Sequence, residues 1–267
     1  MSIFEAIILG AVQGITEFLP VSSSGHLVLL QKIFHISEPA LLFDTLVHVG
    51  TLGAVFIVLW ADIWNILRHP IQRLTGLLIV ATLPTVLIAL VFKDLIEEAF
   101  ASAAFLGFAF LGTGVLLIIA ERLSKRPGMT KTERTMQWID AIIIGFLQGV
   151  AIIPGVSRSG STLSGALSRK VDRSFAARFS FLLSIPAILG ALVLQLPAVL
   201  GNTSGDTGGI GTASLIAGML TAGIVGFFSI QGMLKIVRKG SLWGFALYVA
   251  VLGMLILVDQ YGTHVFF

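Results

Sequence analysis

Two stretches, "QGITEFLPVSSSGH" (residues 13–26) and "QGVAIIPGVSRSG" (residues 148–160), interrupt an otherwise apolar chain with glycines, serines and a few charged groups. At an offset of 135 residues they overlie one another. Gly10 meets Gly145, Gln13 meets Gln148 and Gly14 meets Gly149; Val21-Ser22 meets Val156-Ser157, and Ser24-Gly25 meets Ser159-Gly160. Glycine and serine recur in many membrane sequences, but seven identities in sixteen positions, at half the chain length, mark an internal repeat.

Composition says where such a repeat resides. Of 267 residues, 56% are hydrophobic and only 12% charged, and the mean hydropathy is +0.98. Soluble domains carry about 25% charged residues, so this chain reads as an integral membrane protein. With no cysteine there is neither a disulfide framework nor a thiolate metal site nor a thiol nucleophile. The first residues, "MSIFEAIILG", lack a basic segment and meet Glu5 early, unlike a cleaved signal peptide.

Apolar runs near the ~20 residues needed to cross a bilayer occupy 40–60, 74–92, 100–120, 175–200, 212–234 and 242–258. Lipid leaves the backbone no partner but itself, so each is expected to be helical. The apolar pieces at 3–12 and 139–153 are too short and end in the polar clusters, as re-entrant segments do. The expected fold is therefore an all-α membrane domain in two halves. Residues 1–134 hold a re-entrant hairpin (3–34) and three spans; residues 135–267 hold a second hairpin (139–170) and three more.

Lys and Arg concentrate in 61–73, 121–137, 168–178 and 235–241, whereas "KDLIEE" (93–98) is net acidic and 201–212 has no basic residue. Basic loops belong in the cytoplasm, and this alternation fits all six spans with both termini outside. One hairpin and three spans make an odd number of crossings, so the second half is expected to be inverted relative to the first. The hairpin tips would then enter from opposite sides and meet around a polar cavity near the midplane.

Their residues suit an oxyanion. Arg158, costly at membrane depth, offers a planar, permanently charged fork for phosphate oxygens, flanked by Ser157, Ser159, Ser161 and Thr162. The same arginine could instead pair with a carboxylate and simply join the hairpins. The first tip adds Glu17 and His26, groups that move protons. Between them Ser22, Ser23 and Ser24 are candidate nucleophiles or phosphate donors. The repeat places Ser23 opposite Arg158. Asp44 and His48, four residues apart, share one helix face and either border the cavity or bond a neighbouring helix. Gln13 is expected to face inward like Gln148; Trp60, Trp64 and Trp138 read as interfacial anchors.

"QGITEFLP" with "VSSSGH", and "PGVSRSGST" in the second half, resemble the undecaprenyl-diphosphate phosphatase family (BacA or UppP, bacitracin resistance) over essentially the whole chain. Its signatures, (E/Q)xxxE and PGxSRSxxT, fall on Gln13…Glu17 and residues 154–162. The resemblance implies hydrolysis of undecaprenyl diphosphate to undecaprenyl phosphate and inorganic phosphate in the bacterial cytoplasmic membrane. Such hydrolysis recycles a lipid carrier for peptidoglycan and opposes bacitracin. It further implies Glu17, His26 and Ser23 as catalytic residues. Arg158, Ser157, Ser159, Thr162, Ser22, Ser24 and Gln13 would bind substrate. Family members are associated with a divalent cation such as Mg²⁺ or Ca²⁺, for which Gln13 is a poorer ligand than a glutamate. The expected partners are a polyprenyl diphosphate and membrane lipid, not nucleic acid; a homodimer is an open alternative to a monomer. Serine attack and direct water attack both remain open, and the cavity is expected to open to the outer face. A polyprenyl-phosphate transporter is the alternative function, because inverted repeats also build transporters. "SGH" is shared with phosphatidic acid phosphatase relatives, but no KxxxxxxRP element precedes it.

Overall fold

The structure is a computed structural model that describes residues 1–36, 41–201 and 210–267. In chain order the helices are α1 (Ile3–Thr16), α2 (Ser23–Ile33), α3 (Leu41–Val58), α4 (Trp60–Arg68), α5 (Arg73–Val91), α6 (Lys93–Ser102) and α7 (Leu106–Ser124). They continue with α8 (Trp138–Val150), α9 (Arg158–Ser168), α10 (Arg173–Gly201), α11 (Thr212–Lys239) and α12 (Trp243–Val258), which ends in a π-helical turn, Asp259–Thr263. Five helices are long and apolar enough to cross a membrane, or six with the bent pair α3–α4. This is an all-α, multi-pass membrane protein.

α1 and α8 have 14 and 13 residues. At ~1.5 Å per residue neither reaches across a hydrocarbon core of ~30 Å. Both begin alike: the Glu5 carboxylate accepts from the Ser2 N–H at 2.6 Å, and Asp140 accepts from the Gln137 N–H at 2.9 Å. Those carboxylates also sit one repeat offset apart. Each helix then packs through a small residue, because lipid tails are as apolar as leucine and association comes from close packing. A Cβ on Gly10 would lie 2.4 Å from the Gly218 carbonyl oxygen of α11, and one on Gly145 would lie 1.9 Å from that of Ala81 in α5.

Several boundaries differ from the apolar runs, and α11 runs on through most of the basic loop expected at 235–241. The span expected from residue 100 starts at Leu106, because Ala103 adopts a left-handed conformation (φ 51°) that ends α6. The charged stretches expected as loops at 61–73 and 93–98 are largely helical, as α4 and α6. α4 departs from α3 by 77° and carries Trp60 stacked on Trp64, with ring centres 5.5 Å apart. Residues 37–40, where the first span was expected to begin, and 202–209 of the loop without basic residues lie outside the described residues.

The largest core cluster lies beneath both tips. Phe18, fully buried, meets Phe181 of α10 edge-on at 5.5 Å among Leu163, Leu167, Phe179 and Leu183; such a pair contributes about 0.5–1.5 kcal/mol beyond its area. Because Phe18 follows Glu17 directly, this packing sets where the carboxylate points.

Buried carboxylates pin the basic loops. Asp140 accepts from Lys131 Nζ and Arg169 Nε, both at 2.7 Å, while Glu121 accepts from Arg173 Nη2 at 3.0 Å and is ion-paired with Lys125 Nζ at 3.1 Å. A charge removed from water needs this many donors to remain ionised.

Candidate active site

The two tips are built by the same local rule. Ser22 Oγ accepts from the Gly25 N–H at 3.3 Å and caps α2; Ser157 Oγ accepts from the Gly160 N–H at 3.0 Å and caps α9. Ser24 and Ser159, two residues on in each tip, bring their hydroxyls within 3.4 and 3.3 Å of the cap. A serine cap satisfies amides that the first turn of a helix leaves unpaired. Ser22 does so with φ 70°, ψ 98°, a left-handed conformation outside the ordinary range of serine.

The tips are in contact. Ser159 Oγ donates to the Leu19 carbonyl at 2.9 Å, and the Arg158 guanidinium donates to Glu17 Oε1 through Nη2. Glu17 is 5% exposed and Arg158 16%. On the other carboxylate oxygen, Oε2, Ser23 Oγ donates at 2.5 Å and Gln13 Nε2 at 3.1 Å. The structure therefore gathers Gln13, Glu17, Ser23 and Arg158 around one carboxylate, and Ser23 is only half-buried. Arg158 Nη1 is buried without a hydrogen-bond partner, a charged donor left for a ligand.

Other expected site residues sit differently. Thr162 is fully buried, donates to the Arg158 carbonyl at 3.0 Å and shares a 2.5 Å hydrogen bond with the Ser180 hydroxyl; it braces the arginine from behind. Ser157 serves as the cap, its N–H donating to Thr113 Oγ1 at 3.0 Å. His26 does not face Glu17. Its Nδ1 lies 2.6 Å from the Ser22 carbonyl and its Nε2 2.8 Å from the Tyr248 hydroxyl, with the two rings stacked at 5.7 Å. A carbonyl only accepts, so Nδ1 carries the hydrogen and the tyrosine donates to Nε2.

The imidazole at the carboxylate is His48, whose Nε2 lies 3.8 Å from Glu17 Oε2. The i, i+4 spacing with Asp44 placed both on one face of α3, but the identity of the facing helix was not written in that spacing. Tyr248, in the apolar α12, carried no such signal, nor did Thr113.

The arrangement can bind an anion at a guanidinium and take a proton from a serine. It does not fit a metal ion held by protein alone. Among the described residues no three His, Cys, Asp or Glu side chains come together for one. Both oxygens of Glu17 already receive donors, including a cation, and Gln13 turns its amide N–H toward it.

Residues 6–255 match the family model described as bacitracin resistance protein BacA. An undecaprenyl-diphosphatase from Carboxydothermus hydrogenoformans is 50% identical over 260 residues, covering 97% of this chain and 98% of that protein. An undecaprenyl-diphosphatase 4 from Bacillus thuringiensis strain Al Hakam is 44% identical over the full length of both chains. An undecaprenyl-diphosphatase from Halothermothrix orenii is 42% identical over 97% of this chain and 98% of its own.

Proposed function

The chain belongs to the bacitracin resistance protein BacA family, and we propose that the contact between its hairpin tips is where it hydrolyses undecaprenyl diphosphate to undecaprenyl phosphate and inorganic phosphate. The protein is an undecaprenyl-diphosphatase, as its relatives are named; their names favour hydrolysis over the transporter reading. What carries the assignment of the site is Glu17, one carboxylate that holds the Ser23 hydroxyl at 2.5 Å on Oε2 and the Arg158 guanidinium on Oε1.

The diphosphate competes with Glu17 for Arg158, whose unpartnered Nη1 is the first donor it meets. Its oxygens take the guanidinium in a bidentate grip, and the carboxylate, losing its counter-ion, is freed for the Ser23 proton. Ser23 Oγ attacks the terminal phosphorus while its proton passes to Glu17 Oε2. The bond from that phosphorus to the bridging oxygen breaks, and undecaprenyl phosphate departs with the bridging oxygen and its electron pair. Water then attacks the phosphoserine phosphorus while Glu17, ionised again, takes its proton; the bond from phosphorus to Ser23 Oγ breaks, the proton passes from Glu17 to Oγ, and inorganic phosphate departs. Arg158 stabilises the charge spread over the equatorial oxygens in both steps. His26 acts by position: its Nδ1–H holds the Ser22 carbonyl, the peptide that aims Ser23.

The halves are inverted in this reading. It is supported by the exchange in which α1 packs on α11 and α8 on α5, each hairpin lying on a span of the other half. The basic ends of α7, α9 and α11 lie in the cytoplasm by their charge, so the site opens to the outer face of the cytoplasmic membrane. The polyprenyl tail stays in lipid between helices. The divalent cation of the family is not part of the resident donor set and enters no step.

The test is a trap. Purified protein mixed with undecaprenyl diphosphate labelled in the terminal phosphate and quenched in acid retains label on the wild-type chain and none on Ser23→Ala, which also ceases turnover. Full turnover by Ser23→Ala removes serine attack in favour of water.

A further inference from the structure

We infer that His48 is the positioning residue through which the Ser23 proton leaves Glu17, an inference that rests on the site proposed above. A carboxylate that is 5% exposed and takes a proton in each cycle must also give it up. Three of the groups around it cannot receive it. The Arg158 guanidinium and the Gln13 amide are donors without a basic lone pair, and Ser23, the source, is esterified to phosphorus at that stage and cannot take the proton back until the phosphoserine breaks. His26 has both ring nitrogens engaged, by the Ser22 carbonyl and by Tyr248.

His48 is built for the transfer. Its Nδ1 lies 2.6 Å from the Asp44 carbonyl oxygen, which only accepts, so Nδ1 carries the hydrogen and Nε2 turns a lone pair to Glu17 Oε2 at 3.8 Å. That gap exceeds a hydrogen bond and closes through one water or by tightening when substrate binds. The ring is 30% exposed, so its other side reaches the protein surface. The proton passes from Ser23 Oγ to Glu17 Oε2 and then to His48 Nε2; it leaves to water, and no bond to phosphorus is affected by His48. Among the described residues the charged groups around the ring are few. Glu17 is paired with Arg158; Asp44, one turn back on α3, has its Oδ1 bonded by Gln31 Nε2 at 2.8 Å. α11, packed along α3, has no charged residue before Lys235, and α10 brings Arg178 only to Asp62.

The experiment measures kcat, KM and their pH dependence on the full chain for His48→Gln, with added imidazole for His48→Ala and with Glu17→Gln beside them. Expected for His48→Gln is a fall in kcat of about 100-fold, as for loss of a proton-transfer group, with KM within about twofold because the loss falls on the chemical step and not on binding. The shape of the kcat–pH profile changes, because a group that moves a proton in each cycle has been removed. Imidazole in the buffer restores His48→Ala, a rescue that only folded protein can show. Wild-type kcat and profile in His48→Gln overturn the relay, as does a loss that keeps the wild-type pH shape and that imidazole leaves unrestored. Turnover surviving in Glu17→Gln sinks the proposed site itself, whereas an inactive Glu17→Gln beside an active His48→Gln sinks the relay alone.

Discussion

Ser23 and Arg158, equivalent positions of the two repeats, grip opposite oxygens of the same carboxylate, Ser23 Oγ on Glu17 Oε2 and the arginine on Oε1. The first repeat supplies Glu17 with no acidic counterpart, since position 152 is an isoleucine. A duplicated sequence thus carries an asymmetric set: one hydroxyl, one cation, and one carboxylate between them.

The same ion pair could exist only to join the tips, and energetics separates the two roles. Removing one partner of a buried pair costs about 3–5 kcal/mol, because the other charge is stranded, while removing both is far milder. Arg158→Ala and Glu17→Gln are each expected to lower the thermal midpoint, and the double variant to recover most of that loss. Turnover is expected to stay down by about 10²–10³-fold in Arg158→Ala, the effect of one oxyanion donor, and not to recover in the double variant. Recovery of turnover together with stability would make the pair a structural joint.

Much of this is legible in the sequence. Lipid forces helices, so spans followed from run length, and the register of Gly, Gln and Ser exposed the repeat and hence the meeting of Glu17 with Arg158. What escaped shows where pattern ends. Ala103 ends a helix through its φ, which hydropathy does not encode. α4 and α6 are short, charged helices that a search for apolar length passes over. His48 and not His26 lies beside Glu17, since a ring's direction depends on partners such as Tyr248 that lie far along the chain.

His26 can be assigned by which nitrogen matters. Asparagine places an amide N–H near the position of imidazole Nδ1 and nothing at Nε2. If His26 works by holding the Ser22 carbonyl, His26→Asn retains turnover within about tenfold of wild type and His26→Ala falls by 10²-fold or more. Tyr248→Phe, losing a hydrogen bond worth about 1 kcal/mol, changes stability slightly and kcat little. Equal inactivity of the Asn and Ala variants would return His26 to proton transfer through Nε2.

The donor set makes a prediction about cations. With Gln13 beside Glu17 and Arg158 on its other oxygen, the substrate-free protein is expected to keep its thermal midpoint when EDTA replaces Mg²⁺ or Ca²⁺. Gln13→Glu supplies a second carboxylate, and its midpoint is expected to rise with Mg²⁺ or Ca²⁺ as binding to the folded state dictates. A chelator-sensitive wild-type midpoint would mean a resident ion held by residues this geometry does not assemble.

Sidedness can be read chemically, because the chain has no cysteine of its own. Ser24 is half-buried beside Ser23, bonded only weakly to Ser22 at 3.4 Å, so Ser24→Cys leaves the Glu17 contacts in place. In the proposed orientation the basic ends of α7, α9 and α11 lie on the far, cytoplasmic side. In intact cells a membrane-impermeant thiol reagent added outside is expected to label this cysteine, and a non-hydrolysable diphosphate lipid to slow the labelling by covering the tip. A cysteine placed at Lys125, on the basic side, is expected to react only after the membrane is opened. The reverse pattern, with Lys125→Cys labelled from outside and Ser24→Cys protected, would turn the molecule over and place hydrolysis on the cytoplasmic face.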